Sequence, residues 1–237
     1  MKIILFSRSQ VAHAAADIER LFDAIGRHSF DYAINREFAE AVENRFGRAI
    51  DPAAVYDGST GRQPAESVMV CCGGDGTLNE AARGAFGAWN AAVTHYPAGT
   101  GNDFIKAFGA QSQAFHSLPA IVEGREISMD YIQANCGGAV NVLSVGADAQ
   151  VAAGMAKYKK LPLPPGQTSP YLLSAVERIV RGLGEHYEVE IDGVRYDGAY
   201  TMVFVGNGGC YGGGFRPVPH ACPRDGLLDV LLVSKVS

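Results

Sequence analysis

The chain has 237 residues, of which 47% are hydrophobic and 19% charged, and its formal net charge is −5. This composition excludes a mainly disordered protein, and the length suffices for one large domain or two modest ones with a buried core. Neither half of the chain is basic, so we expect no nucleic acid partner. No apolar run approaches the ~20 residues of a membrane-spanning helix, which favours a cytoplasmic protein.

The first half alternates between strand-like and helix-like segments. The predicted strands are Lys2–Phe6, Phe30–Ile34, Ser67–Cys72 and Ala91–Tyr96. The predicted helices are Ala12–Ile25, Arg36–Phe46 and Thr77–Phe86. Alternation of this kind predicts an α/β layer with a mostly parallel sheet.

The pattern changes near Gly124, after which strand-like segments predominate. These segments are Ile127–Ala134, Ala139–Val145, Tyr187–Ile191, Tyr200–Val205 and Leu227–Val233. One helix-like segment, Tyr171–Gly182, interrupts them. We therefore predict an α/β domain over residues 1–124 and a mainly β domain over residues 125–237.

The five cysteines show no pairing pattern. They are Cys71, Cys72, Cys136, Cys210 and Cys222. Their number is odd and no Cys-x-x-Cys occurs, so neither a disulfide framework nor a cysteine zinc site is supported. Buried, unreactive side chains are the favoured interpretation.

The segment Cys72–Glu80 has the sequence Cys-Gly-Gly-Asp-Gly-Thr-Leu-Asn-Glu and lies between a predicted strand and a predicted helix. Glycines let backbone N–H groups approach an anion, and the N-terminus of the helix adds partial positive charge. A tight strand-to-helix turn capped by Asp75 or Thr77 would explain the same residues. The loop is not a Walker A loop, because it lacks the Gly-x-x-x-x-Gly-Lys-Ser/Thr pattern. It is not a dinucleotide fingerprint either, because Asn79 stands where that pattern needs its third glycine.

A second glycine loop, Pro97–Phe104, also joins a predicted strand to a helix. In a parallel layer, both loops would lie at the sheet edge where ligands bind. Two such loops in one strand-helix-strand unit are more specific for phosphate binding than either loop alone.

Together these two loops resemble the catalytic domain of diacylglycerol kinases, which soluble bacterial lipid kinases and sphingosine kinases share. Residues 127–130, 141–148, 207–214 and 223–230 continue the resemblance. It implies an α/β nucleotide-binding domain, like that of NAD kinase and phosphofructokinase, followed by a β-sandwich domain. The implied activity is transfer of the ATP γ-phosphate to a lipid hydroxyl, such as that of diacylglycerol, presented at a membrane surface.

The resemblance also implies individual site residues. Those implied to bind nucleotide are Gly73, Gly74, Asp75, Gly76, Thr77, Leu78, Asn79, Thr100 and Asn35, the last where the family usually has threonine. Asp75 would organise Mg²⁺ and water near the phosphates as the catalytic residue. Asp225 would ligate Mg²⁺ with the backbone carbonyls of Cys222 and Leu227, and Asp130 could join through water. An ordinary hairpin turn would equally explain Asp225-Gly226.

The chain departs from the family pattern in two places. The first strand leads into Ser7-Arg8-Ser9-Gln10, whereas the family usually has Asn-Pro-x-Ser/Ala-Gly. No Asp or Glu follows Asp229, whereas the family continues to an Asp-Gly-Glu segment whose glutamate acts as general base. We therefore expect truncation, completion of the site by a homodimer or a second chain, or a nucleotide-binding protein without kinase activity of its own. An NAD kinase-like activity is a further alternative, which the sequence of residues 99–104 disfavours.

Overall fold

The computed structural model describes residues 2–8, 14–56, 67–87, 92–99, 101–135, 137–158 and 170–235. Their contacts form two compact units, one of residues 1–141 and 207–227 and the other of residues 142–206 and 228–237. Residues 125–141 and 207–227 thus pack with the first unit, although the predicted boundary lies at residue 124. None of the described helices is long and apolar enough to cross a membrane.

A five-stranded parallel sheet forms the centre of the first unit. Its strands are β1 (Lys2–Phe6), β2 (Tyr32–Asn35), β3 (Val55–Tyr56), β4 (Ser67–Gly73) and β5 (Ala92–Pro97). Their order is β3-β2-β1-β4-β5, and every neighbouring pair is parallel. The strands β2 and β3 thus extend the sheet on one side of β1, and β4 and β5 extend it on the other side. The strand order therefore reverses beside β1.

Helices cover this sheet because successive side chains of a buried strand point to opposite faces. The α-helices are α1 (Ala15–His28), α2 (Arg36–Phe46), α3 (Asp75–Ala85) and α4 (Leu118–Val122), and the 3₁₀ segments are Pro52–Ala54 and Phe104–His116. On β4, Val70 and Cys72 join the larger buried cluster with Ile18 of α1. Cys71, between them, joins a second cluster with Leu78 of α3.

Two further pieces complete the first unit. The short strands β6 (Ile132–Ala134) and β7 (Gly137–Ala139) form an antiparallel hairpin. The segment 207–227 follows as a series of turns. Residues 127–131 are not in a strand, although the sequence predicts one from Ile127, and the N–H of Asp130 donates to the carbonyl of Pro223.

The second unit is built on an antiparallel sheet. Its elements are β8 (Val142–Gly146), α5 (Ala147–Tyr158), α6 (Pro170–Arg181), β9 (Glu185–Ile191), β10 (Val194–Gly206) and β11 (Asp229–Ser234). The strand β10 pairs with β8, β9 and β11. Asp192 and Gly193 both have positive φ, as expected of a two-residue hairpin turn. The sequence does not predict α5, whose alanine-rich segment has little separation of polar and apolar faces.

Candidate functional site

Both glycine loops lie at the carboxyl edge of the parallel sheet, at the ends of the neighbouring strands β4 and β5. The strand order reverses between β1 and β4, so the first loop borders the crevice where open α/β sheets bind ligands. The predicted adjacency of the two loops is present in the structure.

The two loops touch each other directly. A Cβ atom at Gly99 would lie 2.3 Å from the Cα of Gly74 and 2.6 Å from its nitrogen. The N–H of Ala98 donates to the carbonyl of Gly73 at 2.9 Å. Glycine is therefore required here by the packing of one loop on the other, in addition to any need for close approach to a ligand.

The carboxylate of Asp75 connects the loops. It accepts hydrogen bonds from the N–H groups of Asp103 at 2.9 Å and Phe104 at 2.8 Å. Both oxygens thus cap the start of the 3₁₀ segment Phe104–His116. This bracing accounts for an aspartate at position 75 without reference to a ligand, and the metal-organising role stays a prediction.

The helix α3 begins directly after the first loop, with Gly74 as its N-cap. The N–H groups of Thr77 and Leu78 donate to the carbonyl of Gly74 at 3.0 and 3.2 Å. The N-cap position is thus occupied by Gly74, and neither Asp75 nor Thr77 holds it. The Leu78 side chain is 3% exposed and packs with Phe104, so only its backbone remains for a ligand.

The side chain of Asn79 points toward the hairpin of β6 and β7. Its Nδ2 donates to the carbonyl of Gly138 at 3.2 Å, and its Oδ1 accepts from the N–H of Val140 at 3.1 Å. The amide therefore fastens α3 to the hairpin. The contact of Asn79 with nucleotide stays a prediction.

Asn35 lies at the carboxyl end of β2 and binds the end of β1. Its Oδ1 accepts from the N–H of Ser7 at 3.0 Å, and its Nδ2 donates to the carbonyl of Ser7 at 2.9 Å. Ser7 is buried. This two-way bond fixes the point where the chain leaves the central strand. Thr100, the other single residue implied to bind nucleotide, lies outside the described residues.

Arg8 follows directly and forms an ion pair with Glu80 of α3. In the parallel register of β1 and β4, Phe6 lies beside Cys71, so Arg8 continues toward the level of Gly73. The side chains of Arg8 and Glu80 are 62% and 34% exposed. A guanidinium group thus stands at the rim of the crevice.

Asp103 is a site residue that the sequence analysis did not single out. It is buried, its Oδ2 accepts from the N–H of Gly213 at 2.7 Å, and its Oδ1 accepts from the ammonium group of Lys106 at 2.5 Å. The bond to Gly213 brings the 207–214 loop against the second glycine loop. The only sequence signal was a carboxylate directly after the Gly-Thr-Gly-Asn run.

A second network of hydrogen bonds holds the start of the 207–214 loop in place. The N–H groups of Asn207 and Gly208 both donate to the carbonyl of Asn141, at 2.8 and 3.0 Å. The Asn207 side chain is fully buried and donates to the carbonyls of Asp130 and Val140. The asparagines thus tie this loop to the hairpin and to Asp130.

Asp130 and the loop around Asp225 hold each other. Asp130 Oδ2 accepts from the N–H of Gly226 at 2.8 Å, and Asp225 Oδ1 accepts from the N–H of Leu227 at 3.0 Å. Gly226 has φ +75°, as a tight turn requires. The chain therefore turns sharply at Asp225-Gly226, but this turn does not directly join two strands and is not the hairpin turn that the sequence left as an alternative.

These residues offer the hard oxygen donors that magnesium prefers, namely two carboxylates and the carbonyls of Cys222 and Leu227. The donor chemistry therefore fits the metal that the family resemblance implies. Within the described part of the chain, no three side chains of His, Cys, Asp or Glu group as a metal site, so backbone carbonyls would have to contribute.

Four cysteines lie in the described residues, and Cys136 lies outside them. Burial raises the pKa of Cys71 to about 12 and also raises the pKa of Cys72. Both thiols are therefore neutral near pH 7 and act as packed side chains. Cys210 is half-buried, Cys222 is exposed, and all four described cysteines are free.

The family model of the diacylglycerol kinase catalytic domain matches residues 54–134. That of the YegS C-terminal NAD kinase beta sandwich-like domain matches residues 141–237. The chain belongs to this diacylglycerol kinase-like family of lipid kinases. The predicted fold class, an α/β domain followed by a sandwich-like β domain, is confirmed.

Among its relatives, "Probable lipid kinase YegS-like" of Pseudomonas putida is 31% identical over 168 residues, which are 70% of this chain and 56% of that protein. The chain spans slightly more than half the length of the curated relatives it matches.

Solved structures that share the fold include a bacterial and a yeast kinase. A diacylglycerol kinase from Bacillus anthracis (strain Sterne) has a TM-score of 0.61 at 21% identity, and the match covers 98% of this chain and 73% of the Bacillus chain. Yeast NADH kinase complexed with NADH has a TM-score of 0.50 at 12% identity, covering 100% of this chain and 67% of its own. At these identities the likeness concerns the fold alone.

Proposed function

We propose that this chain binds ATP at the carboxyl edge of its parallel sheet and acts in a lipid kinase. The reaction is transfer of the γ-phosphate to the hydroxyl of a lipid such as diacylglycerol. The observation that carries the proposal is the contact between the two glycine loops, made by Gly74 on Gly99 and braced by Asp75. Two strand-to-helix turns held together at one crevice suit a polyphosphate, and the family assignment supports the same ligand.

Within this proposal, residues 73–79 bind the ATP phosphates mainly through backbone N–H groups. Leu78 and Asn79 contribute only their backbone, because their side chains are committed to packing and to the hairpin. Asn35 and Thr100 complete the nucleotide site. Asp75 orients the reacting groups in addition to bracing the loops.

Magnesium is the second cofactor of the proposal. Asp225 with the carbonyls of Cys222 and Leu227 would hold it, with Asp130 joining through water. When bound, the ion neutralises charge that the phosphate oxygens gain during transfer. The residues of this chain then have to position the nucleotide, which is the larger part of catalysis in phosphoryl transfer.

The chemistry forms a bond between the lipid oxygen and the γ-phosphorus and breaks the bond to the β-phosphate oxygen. The hydroxyl proton leaves to a base. The proposal includes a lipid presented at a membrane surface. It also includes a second copy of the chain, or a second chain, that completes the site.

The test measures binding and transfer separately. ATP binding is followed by calorimetry with magnesium. Transfer is followed with γ-labelled ATP, offered mixed micelles of diacylglycerol and other hydroxylated lipids or, in a separate reaction, NAD. We expect binding together with a labelled lipid product. Absence of ATP binding would overturn the proposal. Binding without transfer to any lipid would favour a nucleotide-binding role, and labelling of NAD would favour an NAD kinase-like activity.

A further inference from the structure

The strand β5 carries a histidine, His95, two residues before the second glycine loop begins. His95 is fully buried, and it pairs with Cys71 in the register of β4 and β5. Its ring centroid lies 6.4 Å from that of Phe104, which belongs to the second apolar cluster. An imidazole in such surroundings is unfavourable unless its polar atoms are used.

One ring nitrogen has a clear function. His95 Nε2 lies 2.8 Å from the carbonyl oxygen of Gly73. A carbonyl can only accept, so Nε2 carries the hydrogen and the neutral ring leaves Nδ1 bare. Nδ1 is buried and has no hydrogen-bond partner among the described residues. The site therefore selects one tautomer.

The carbonyl that His95 holds is the last one of β4 before the first loop turns. It also accepts the N–H of Ala98, so β5 and the second loop fix its direction together. The peptide that follows is trans, because the described chain contains no cis peptide bond. In a trans peptide the N–H points opposite to the carbonyl, so the direction of the Gly74 N–H is fixed as well.

We propose that His95 is a positioning residue for nucleotide binding, which sets the Gly73–Gly74 peptide so that the Gly74 N–H faces the phosphates. The inference rests on the proposed function, in which Gly74 is a phosphate contact. His95 itself does not touch the ligand.

The same arrangement makes the loop sensitive to acid. Protonation would place a second N–H, on Nδ1, in a buried position where the described residues offer no acceptor. Burial accordingly lowers the pKa of His95, while the bond to Gly73 and the charge of Asp75 on α3 act in the opposite direction. His116, at the end of the 3₁₀ segment, lowers the pKa further.

Two substitutions distinguish the effect of the His95 hydrogen bond from the effect of His95 protonation. His95→Gln keeps an N–H donor near the Nε2 position and cannot titrate, whereas His95→Leu keeps an apolar filling and removes the donor. His186→Gln is the matched control, since His186 is exposed in the second unit and paired with Asp197.

The first measurement needs no nucleotide. Nitrogen NMR of the imidazole at pH 7 is expected to show a protonated Nε2 and a bare Nδ1 for His95. The Gly74 amide resonance is expected to move in His95→Leu and to stay in His186→Gln. An Nδ1–H tautomer, or an unchanged Gly74 resonance in His95→Leu, would overturn the inference.

The second measurement is the affinity for a non-hydrolysable ATP analogue between pH 5 and pH 8. At pH 7.5 we expect binding to weaken about fivefold to tenfold in His95→Leu and to stay within about threefold in His95→Gln. The ratio of parent to His95→Gln affinity removes the titration of the nucleotide, and it should fall as the pH decreases through the lowered pKa of His95. Equal binding by all variants, with parallel pH profiles, would contradict the proposal. If the parent binds no nucleotide at any pH, the proposed function fails, and the NMR results still decide the role of His95 in the loop.

Discussion

Asp103 accepts a hydrogen bond of 2.7 Å from the N–H of Gly213, which lies 110 residues further along the chain. The backbone N–H of Asp103 in turn donates to Asp75. One buried residue thus joins both glycine loops to the 207–214 loop. The charge of Lys106, bound to the other carboxylate oxygen, compensates that of Asp103.

We expect Asp103→Asn to lower the free energy of unfolding by about 1–3 kcal/mol, because the amide NH₂ would face a donor and leave it unsatisfied. ATP affinity should fall too, since the 207–214 loop loses its attachment. Urea denaturation and calorimetry measure the two effects. Asp51→Asn is the control: Asp51 is exposed and caps Ala53, and asparagine caps equally well. Equal stability of the two variants would show that the bond to Gly213 contributes nothing.

Substitutions at Asp75 distinguish its structural role in bracing the loops from a role in catalysis. We expect Asp75→Ala to lower the free energy of unfolding by about 1–3 kcal/mol, because the N–H groups of Asp103 and Phe104 lose their acceptor. Asp75→Asn keeps one acceptor oxygen and should be the more stable of the two. If both variants lose transfer activity while Asp75→Asn stays folded, the carboxylate acts on the reacting groups. Full activity in Asp75→Asn would reduce its role to bracing.

The sequence predicted what depends on local pattern. Apolar runs located β1 and β4, the glycines after β4 located the loop after Gly73, and the α/β alternation placed both loops at one sheet edge. It did not predict the bonds of Asp75 to Asp103 or of Asp103 to Gly213, because these depend on which turns meet in three dimensions.

Polar residues in the glycine loop illustrate the same limit. The Asn79 amide could have faced a ligand or the protein, and only the position of the hairpin at residues 138–140 decides that it faces the protein. His95 is one polar residue inside an apolar strand pattern, so its burial could be predicted but its contact with Gly73 could not. The helix α5 was missed because its small side chains leave no clear apolar stripe.

Arg8 is expected to attract the polyphosphate, since the first glycine loop contains no lysine and the guanidinium group is 62% exposed in its ion pair with Glu80. We expect Arg8→Ala to weaken ATP binding about fivefold to tenfold at low salt and AMP binding less than twofold, because the attraction grows with phosphate charge. Arg20→Ala removes a surface arginine paired with Asp17 on α1 and is the control. Equal losses for ATP and AMP would place Arg8 away from the phosphates.

The stability of the fold should depend on pH through His95. Burial lowers its pKa in the folded protein, whereas the unfolded chain has an ordinary value near 6.5. Below that value the unfolded state binds more protons, so the free energy of unfolding should fall as the pH decreases, by at most about 1.4 kcal/mol per pH unit. Thermal unfolding of parent and His95→Gln from pH 7.5 to 5 checks this. Curves that stay parallel would show that His95 titrates normally.

Glycine substitutions test the contact between the loops, and three positions give different expectations. A Cβ at Gly99 would meet the backbone of Gly74 at 2.3 Å, so Gly99→Ala should separate the loops, lower the free energy of unfolding by more than about 2 kcal/mol and abolish ATP binding. Gly76 and Gly84 both lie in α3, and apart from the adjacent backbone no atom of the described residues lies within 4 Å of the added Cβ, so alanine should leave stability unchanged or raise it by up to about 1 kcal/mol.

The two helical positions differ in function. Gly84 lies far from the first turn of α3, so Gly84→Ala should bind ATP like the parent, whereas Gly76→Ala should fold normally and bind more weakly, because its methyl group stands where phosphate approaches the helix N-terminus. Chemical denaturation and ATP titration of the three variants measure both quantities. If Gly76→Ala binds ATP as tightly as Gly84→Ala, the phosphates do not lie against this turn, and the glycines near it serve the contact between the loops alone.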